Sequence, residues 1–340
     1  MRYYCTYFDA HYITRGLALY DSLRQVSPSF RLWVLCFDDE TFQALSQLAL
    51  LGLEPIALGD FEDEELLAVK PTRSRVEYYF TCSPSLPLHI LNHYPEVDMI
   101  TYLDSDLYFF RDPQAVYDEL GDGSIAIIEH RHMPERQDLL RYGIYNVAWL
   151  TFRRDENGMR CLNGWREQCL DWCYDRVEPH RYADQKYLDD WPERFDGVVV
   201  LQQKGANLAP WNVRNDVLRV SNGAVDVDGQ PLVFYHFQGL KKVGPYLYDP
   251  NLAAFDVRWD PVLARRIYGP YLRALARVSG WVSTGSDHRA RLSTLRQKRS
   301  RIYAADAPLK RLAKQLRDVG RFWLRILHRQ VWIVVKGHVL

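Results

Sequence analysis

Residues 99–110 read MITYLDSDLYFF, a nearly continuous apolar run that contains Asp104, Ser105 and Asp106 at its centre. The apolar residues on both sides are typical of buried strands. Burying two ionised carboxylates costs several kcal/mol each unless a positive charge lies beside them. The nearest downstream cation is Arg111. A divalent cation such as Mg²⁺ or Mn²⁺ resolves this conflict and commonly bridges carboxylates to substrate phosphates. The alternative is an Asp-rich β-turn without a metal.

Strand-like and helix-like segments alternate at short spacing before this stretch. The alternation predicts an α/β fold with a mostly parallel sheet that is covered by helices on both faces. In such sheets, ligands bind beyond the carboxyl ends of the strands, which here are residues 6–9 and Asp104. We predict strands at residues 2–8, 31–37 and 54–58, with helices at 14–28 and 61–69.

A second polar residue follows an apolar strand near residue 236. His236 ends the strand-like segment 232–235, as Asp104 ends residues 99–103. One imidazole with two carboxylates makes a plausible Mn²⁺ site, and Gly239 would let the backbone approach a diphosphate closely. Lys241 or Lys242 would supply positive charge to a leaving phosphate. Taken alone, His236 is better explained as a hydrogen-bonded core histidine; the combination with Asp104 and Asp106 favours the metal site.

The remaining segments are richer in turns and aromatic residues. Gly and Pro give residues 205–212 the character of a shaped loop. We predict further strands at residues 124–129, 145–152 and 197–201, and a helix at 158–174.

Four blocks of the sequence together resemble glycosyltransferases of the GT-A fold (Rossmann-like, with a mostly parallel central sheet and flanking helices). The resemblance covers residues 1–245 and is close to the family-eight retaining enzymes that include glycogenin. It is also close to an uncharacterised bacterial group of nucleotide-diphospho-sugar transferases. The blocks are residues 6–23, residues 102–106, residues 145–148 with Asp184-Gln185, and residues 236–239 with Lys242.

The resemblance assigns roles to individual residues. It implies a Mn²⁺ or Mg²⁺ ion held by Asp104, Asp106 and His236. It places three residues at the reaction centre: Asp184, Gln185 and Lys242. It implies nucleotide-sugar contacts by Thr6, Tyr7, Asp9, Tyr12, Arg73, Ser105, Asn146 and Gly239.

Several of these roles have structural alternatives. Asn146 and Asp184 are also explained as structural caps, and Arg73 and Arg75 as solvated residues on a helix face. The chain departs from the family pattern after Lys242, where Val-Gly-Pro-Tyr replaces the usual Pro-Trp, and at Lys186, where an acid is usual.

The resemblance also implies the reaction. A sugar would pass from a nucleotide-diphospho-sugar, with UDP-sugars favoured, to the hydroxyl of a saccharide or lipid-linked acceptor, with retention of configuration. Synthesis of a bacterial polysaccharide or lipopolysaccharide is the expected pathway. The alternative is a non-catalytic scaffold or glycan-binding subunit. A sugar-nucleotide pyrophosphorylase is disfavoured because residues 6–16 contain one glycine, and an Asp-x-Asp phosphatase because Tyr108 stands where a Thr is needed.

The charge of the chain is unevenly distributed. Its 43 Lys/Arg balance 43 Asp/Glu, but residues 287–340 hold fourteen Lys/Arg against three Asp/Glu. The catalytic part is therefore not a nucleic-acid binder by charge. Six cysteines in 340 residues make no disulfide framework and favour buried thiols in a reducing compartment. Without a signal-like or membrane-spanning run, we expect a cytoplasmic protein, or one attached to the cytosolic face of a membrane.

We predict three parts along the chain: the GT-A domain at 1–245, a helical extension at 246–305 and a basic amphipathic helical tail at 306–340. The tail places apolar residues at steps of three and four, with a cationic opposite face. Contact with an anionic membrane surface and packing onto the catalytic domain or a second subunit both remain open. The apolar positions are Leu309, Leu312, Leu316, Val319, Trp323 and Ile326.

Overall fold

The computed structural model describes residues 1–27, 29–244, 247–282, 332–335 and 338–339. The chain divides into two compact units, Met1–Phe237 and Gln238–Leu340. The predicted amphipathic helix lies mostly in residues 306–331, outside the described residues. The predicted boundaries at residues 245 and 305 stay predictions.

A seven-stranded sheet forms the centre of the first unit, in the order β3-β2-β1-β4-β7-β6-β8. β7 runs antiparallel to both of its neighbours, whereas the other pairs are parallel. The predicted fold class, an α/β protein with a mostly parallel sheet, is confirmed. The strands are β1 (Arg2–Phe8), β2 (Phe30–Cys36), β3 (Leu53–Ala57), β4 (Met99–Leu103), β5 (Leu107–Phe109), β6 (Ile125–Glu129), β7 (Tyr145–Arg153) and β8 (Val198–Leu201).

Helices flank this sheet, and the longest that is described, α5, contains two prolines. The helix predicted at residues 61–69 is two short helices, α3 and α4, because Asp63 caps the second one: its side chain accepts from the N–H of Leu66. The helices of the first unit are α1 (Ile13–Val26), α2 (Asp39–Leu48), α3 (Leu58–Phe61), α4 (Glu64–Val69), α5 (Arg75–His93), α6 (Gln114–Leu120), α7 (Glu156–Asp171) and α8 (Trp191–Arg194).

Short strands complete the first unit. β9 (Leu218–Ser221), β10 (Ala224–Val227) and β11 (Gln230–Pro231) form a small antiparallel sheet that the sequence did not predict. β12 (Phe234–His236) pairs antiparallel with β5. This pairing brings the end of the last predicted strand of the domain to the Asp104–Asp106 turn.

Large aromatic side chains fill the core of the first unit between β7, α7 and α8. The Trp165 and Trp191 rings pack edge to face at 5.5 Å, and Phe152 stacks on Trp165 at 6.1 Å. Cys161 and Cys169 lie among them as buried free thiols. The part of α7 that carries these two cysteines is therefore apolar core.

The second unit carries helical turns and a four-stranded sheet in the order β13-β14-β15-β16. A π-helical segment, Leu263–Tyr268, leads into helix α9 (Gly269–Val282). Residues 332–335 form a strand, whereas the predicted tail was helical throughout; aromatic and β-branched residues favour the extended form there. The strands are β13 (Lys241–Gly244), β14 (Leu247–Asp249), β15 (Trp332–Val335) and β16 (His338–Val339).

Among the described residues, none of the helices combines the length and the apolar character that spanning a bilayer requires.

Candidate metal and substrate site

The Asp104–Asp106 turn joins β4 to β5 at the carboxyl edge of the central sheet. Backbone hydrogen bonds hold it from both sides. The N–H of Asp104 donates to the carbonyl of Ala148 at 3.1 Å, and the N–H of Phe237 donates to the carbonyl of Asp106 at 3.0 Å. Ser105 lies between the two aspartates with its surface partly exposed. The two carboxylates therefore project from a fixed backbone.

His236 reaches this turn because β12 pairs with β5 in a register that sets His236 opposite Leu107. Its Nε2 atom lies 3.1 Å from Asp106 Oδ1 and 3.7 Å from Asp104 Oδ2. Among the described residues, these three side chains form the candidate metal-ligating cluster, with ligand atoms within 4.8 Å of one another. Carboxylate oxygens and one imidazole nitrogen suit a divalent cation of the Mg²⁺ or Mn²⁺ type. The three predicted ligands are thus brought together, and they fit such an ion.

The cluster shifts the pKa of each of its members. Burial raises the pKa of Asp104 to about 6. His236 lowers this pKa, and the negative charge of Asp106 raises it. Burial alone would also raise the pKa of Asp106, but the His236 imidazolium holds it below its usual value. Burial lowers the pKa of His236, but the two carboxylates that face it raise this pKa above its usual value. Positive charge therefore stabilises the two carboxylates, and a bound cation would supply it.

The loop at residues 205–212, between β8 and β9, supports His236 from one side. The N–H of His236 donates to the carbonyl of Leu208 at 2.8 Å, and the Trp211 ring packs edge-on against the imidazole at 5.0 Å. Asn212 fixes the loop, since its side chain accepts from the N–H of Ala209 at 2.9 Å. It also donates to the carbonyl of His130 at 2.9 Å. The predicted shaped loop at residues 205–212 thus orients a candidate metal ligand.

Asn146, a predicted sugar contact, is buried and has internal partners. Its Nδ2 lies 2.9 Å from His130 Nε2, and its Oδ1 accepts from the N–H of Ala148 at 3.2 Å. His130 Nδ1 lies 3.1 Å from the carbonyl of Ile144. Burial lowers the pKa of His130 to about 3, so the ring is neutral: Nδ1 donates to Ile144 and Nε2 accepts from Asn146. His130 was not predicted, although it ends an apolar strand as His236 does.

A chain of buried polar side chains connects the metal cluster to Asp184. The Tyr102 hydroxyl donates to Asp104 Oδ1 at 3.0 Å. The Tyr7 ring lies 5.5 Å from the Tyr102 ring, centroid to centroid, and the Tyr7 hydroxyl lies 3.0 Å from the Ser83 hydroxyl. The Ser83 side chain in turn lowers the pKa of the Asp184 carboxyl. Tyr7 and Asp184, two predicted site residues on distant parts of the sequence, therefore belong to one group of side chains that extends to the turn.

The Asp184 carboxyl has a strongly perturbed pKa. Burial raises it to about 7, the Asp104 charge raises it further, and the Ser83 hydrogen bond opposes both effects. At neutral pH the group is therefore divided between its neutral and ionised forms, and either form can hydrogen-bond a sugar hydroxyl.

This perturbation makes a prediction about stability and pH for Asp184→Asn. A carboxyl with a folded pKa near 7 and an unfolded pKa near 4 stabilises the fold at low pH, and that stability is lost as pH rises from 4 to 7. Asparagine keeps the shape of the side chain and does not ionise. The free energy of unfolding of Asp184→Asn minus that of wild type should therefore rise by up to about 4 kcal/mol between pH 4 and pH 8, measured by urea denaturation.

The control is Asp196→Asn, because the side chain of Asp196 is 92% exposed. That variant should follow the wild-type pH dependence. An Asp184→Asn curve parallel to wild type across this range would show that Asp184 titrates as an ordinary carboxyl.

Gln185, the other predicted reaction-centre residue of this block, lies beside the segment that connects β6 to β7. Its Nε2 donates to the carbonyl of Tyr142 at 3.0 Å. A side chain at Gly143 would contact it, since a Cβ there would lie 3.4 Å from Gln185 Cγ. The Lys186 ammonium donates to the carbonyl of Arg141 at 3.0 Å. Gln185 therefore follows the buried Asp184 and is held by the 141–143 segment.

Two arginines near the start of α5 lie in different places. The Arg73 guanidinium donates to the carbonyl of Leu170 at 3.0 Å and lies over the Tyr174 ring, 4.2 Å from its centroid. It therefore binds the C-terminal end of α7. Arg75 instead contacts Asp9 at 2.6 Å. The structure brings Arg75, and not the predicted Arg73, to the end of β1.

Thr6 and Tyr12, the remaining predicted contacts from the first block, differ in exposure. The Thr6 side chain is fully buried, and its hydroxyl has no hydrogen-bond partner among the described residues. Tyr12 is 43% exposed, and the Arg15 guanidinium lies 4.3 Å from its ring centroid. Tyr12 is thus the one of the two that a ligand can reach without a change in structure.

Gly239 and Lys242 belong to the second unit. Gly239 has a φ of +77°, and a Cβ there would lie 2.2 Å from Asn251 Nδ2, so glycine is required at this position. Lys242 is exposed on β13, with its ammonium 5.8 Å from the centroid of the Tyr248 ring. Their predicted roles toward a diphosphate stay predictions.

Comparisons with known proteins identify relatives of this chain. The sequence matches no protein-family model. YfnF of Bacillus subtilis (strain 168) is 33% identical over 248 residues, which cover 71% of this chain and 82% of YfnF. YfnD of the same organism is 30% identical over 278 residues, which cover 81% of this chain and 89% of YfnD. The chain belongs to the family of YfnF and YfnD. Both are described as uncharacterized proteins.

Solved structures that resemble this chain include two glycosyltransferases. The galactosyltransferase LgtC, in complex with donor and acceptor sugar analogs, has 18% identity and a TM-score of 0.45, covering 72% of this chain and 88% of LgtC. Mouse xyloside xylosyltransferase 1 has 14% identity and a TM-score of 0.45, covering 70% of this chain and 98% of the mouse chain.

Proposed function

We propose that this chain is a metal-dependent glycosyltransferase, which moves a sugar from a nucleotide-diphospho-sugar to an acceptor hydroxyl. The observation that carries the proposal is the cluster of Asp104, Asp106 and His236. It stands where the strand order reverses, between β1 and β4 at the carboxyl edge of the sheet. Open α/β sheets bind ligands at such a switch point.

The chemistry of the cluster supports a diphosphate substrate. Two carboxylates and one imidazole leave coordination positions open, and a divalent cation held there can bind phosphate oxygens. When bound, this cation would offset the negative charge that develops on the nucleoside diphosphate as its bond to the sugar breaks. Mn²⁺ and Mg²⁺ are the proposed ions. The role of the three side chains is to hold the ion and, through it, the diphosphate.

Asp184 and Gln185 are proposed to line the sugar pocket. The Asp184 carboxyl is influenced by Ser83, and Tyr7 and Tyr102 extend this group of side chains to Asp104, so the carboxyl lies among groups that do not belong to the substrate. A carboxyl with a pKa of about 7 is a weak base and a usable hydrogen-bond donor. This favours a role in orienting the sugar. Lys242 and Gly239 are proposed to contact the leaving diphosphate.

The finer points of the reaction rest on the sequence resemblance. We propose a UDP-sugar donor, retention of configuration and a saccharide or lipid-linked acceptor in bacterial polysaccharide or lipopolysaccharide synthesis. We place the enzyme in the cytoplasm, where its basic tail would contact the cytosolic membrane surface or a second subunit. Nucleic acid is not a proposed partner.

The first test is nucleotide release from UDP-, dTDP-, GDP- and ADP-sugars in the presence of Mn²⁺, Mg²⁺ or EDTA. Many glycosyltransferases hydrolyse their donor slowly, so the assay needs no acceptor. We expect metal-dependent release from one donor and none in EDTA. Calorimetric titration of the same nucleotides with Mn²⁺ accompanies the assay. If no nucleotide binds in the presence of Mn²⁺, the chain is a scaffold or glycan-binding subunit and not a transferase.

A further inference from the structure

Lys186 comes directly after Gln185, and both side chains reach the segment that leads into β7. The Lys186 ammonium donates to the carbonyl of Arg141 at 3.0 Å, in a contact that is exposed to solvent. Gln185 Nε2 donates to the carbonyl of Tyr142, also at 3.0 Å. A Cβ at Gly143 would lie 3.4 Å from Lys186 Cα, so the two segments pack closely. The block that carries Gln185 and this segment are therefore fixed to one another.

The same segment presents a second cation. Arg141 Nη2 donates to the Tyr142 hydroxyl at 3.0 Å, and its guanidinium lies 4.8 Å from the centroid of the Tyr142 ring. Tyr142 in turn packs edge-on against the Tyr182 ring at 4.9 Å. The Arg141 side chain is exposed, and its main chain accepts the hydrogen bond from Lys186. A guanidinium and an ammonium are thus held beside one another at the surface.

Neither of these two cations has an ion-pair partner in the part of the chain that the structure describes. The hydrogen bonds of both go to uncharged oxygens. Other arginines near this block do have carboxylate partners. Arg181 pairs with Glu178 at 2.9 Å. Arg194 pairs with Asp190 at 3.7 Å. Two positive charges without a close counter-ion produce a local field that attracts an anion.

Asp189 is the acidic group of this block whose charge interacts with Lys186. Burial raises the pKa of Asp189, whereas the N–H of Ile144 and the charge of Lys186 lower it. Asp189 Oδ1 accepts from the N–H of Ile144 at 2.7 Å. This carboxylate therefore holds the residue that precedes β7, and its contact is with the main chain.

The location of the two cations favours the acceptor over the donor. Asp184 is buried, and the charge of Asp104 raises its pKa, so Asp184 faces the metal cluster. Lys186 makes its contact on the exposed side of the same block. The metal ion offsets the charge of the donor diphosphate, so two cations outside the cluster are suited to another anion. Lys186 also stands where the enzymes that this chain resembles usually have an acid, so the charge of this position is reversed here.

We propose that Arg141 and Lys186 bind a phosphate or carboxylate group of the acceptor, so that the enzyme glycosylates an anionic acceptor. This inference rests on the proposed glycosyltransferase function and names the class of its acceptor. Guanidinium and ammonium groups only donate hydrogen bonds, and ionised phosphate and carboxylate groups accept them strongly. The sugar passes to a hydroxyl of the acceptor, and the anionic group serves in binding alone.

The test uses three probes that differ only at carbon 6: glucose, glucuronate and glucose 6-phosphate. Their binding to the full chain is measured by calorimetry, with the metal cluster saturated by Mg²⁺ and the nucleotide that the release assay identifies. A hydrogen bond to a charged group corresponds to about 10-fold or more in affinity. Wild type should therefore bind one or both anionic probes at least about 10-fold more tightly than glucose. The preferred probe then distinguishes a phosphate from a carboxylate.

Three variants remove or reverse the charges. In Lys186→Gln the side chain can still donate to the carbonyl of Arg141 but carries no charge, and Arg141→Gln removes the other cation. Each should lower the preference for the anionic probe by about 3- to 10-fold, the range of an exposed charge pair or more. Lys186→Glu should abolish the preference.

Arg176→Gln is the matched control, because Arg176 is 65% exposed and already pairs with Glu178 at 2.7 Å. This variant should keep the wild-type preference. Thermal melting of each variant verifies folding. Nucleotide release from UDP-glucuronate and from UDP-glucose is compared in wild type and Lys186→Gln.

The outcomes separate this inference from the function on which it rests. A preference for an anionic probe that falls in the Lys186 and Arg141 variants, and not in the control, supports it. Equal binding of the three probes, no binding of either anionic probe, or a preference that the variants leave unchanged overturns it. A loss in Lys186→Gln that is confined to release from UDP-glucuronate also overturns it, because the anion would then belong to the donor sugar. In all these cases the transferase function stands, whereas failure of wild type to bind any nucleotide with Mn²⁺ would overturn both.

Discussion

Asp106→Asn is expected to abolish metal-dependent nucleotide binding while leaving the chain folded. Asparagine keeps the size of the side chain but removes the charge that lies 3.1 Å from His236 Nε2. Loss of a group that only orients a metal ligand costs about 10- to 100-fold in affinity, and loss of the ligand itself should cost at least about 100-fold. Mn²⁺ affinity is measured by electron paramagnetic resonance, and nucleotide release is assayed in parallel.

The control for this change is Asp122→Asn, since Asp122 is exposed on the surface. It should match wild type in Mn²⁺ affinity and in release. Near-UV circular dichroism and thermal melting establish that the Asp106 variant is folded. A folded Asp106→Asn protein with wild-type Mn²⁺ affinity would contradict the assignment of the cluster as the metal site.

The sequence was most informative where a metal-ligating residue type stands at the end of an apolar strand. The first strand was predicted with the bounds that the structure gives, Arg2–Phe8. Asp104 and His236 were recognised because a polar ligand type ended an apolar strand in each case. Their proximity depends on the pairing of β12 with β5, and the resemblance, not the local pattern, indicated that the two ends meet.

Helix α5 shows what local pattern could not predict. Pro84 and Pro87 lie inside it, and proline in a helix interior normally removes a hydrogen bond and breaks the helix. The helix persists because most of its length is buried against the sheet and α7. A usable signal was present at its start, where Ser74 and Glu77 form a capping box.

The same cap explains why Arg73 and Arg75 lie in different places. Ser74 is the N-cap in an extended conformation, and α5 begins at Arg75. Arg73 therefore precedes the helix and turns toward α7, whereas Arg75 lies on the first turn and reaches the end of β1. Two residues of the same type, two positions apart, are separated by a helix boundary, which sequence patterns locate least well.

Gly205→Ala is expected to produce the largest loss of stability, and to weaken the metal site with it. A Cβ at residue 205 would lie 1.9 Å from the carbonyl oxygen of Pro231, which is backbone and cannot rotate away. The carbonyl of Gly205 also accepts from the N–H groups of Val233 and Phe234, at 2.8 and 3.1 Å. Displacing this segment displaces β12 and therefore His236.

Overpacking of this kind typically costs 1–3 kcal/mol, and a clash with backbone should lie at the upper end, about 3 kcal/mol by urea denaturation. Mn²⁺ affinity should fall at least about 10-fold, as for loss of an orienting group. Gly164→Ala is the control: it lies in α7, where a Cβ would be 3.6 Å from Phe195, an ordinary contact. That change should be neutral or stabilise by up to about 1 kcal/mol, since alanine favours helix. If Gly205→Ala lost stability but kept full Mn²⁺ affinity, His236 would be held by β5 alone, and the loop at residues 205–212 would contribute to folding without orienting the ligand.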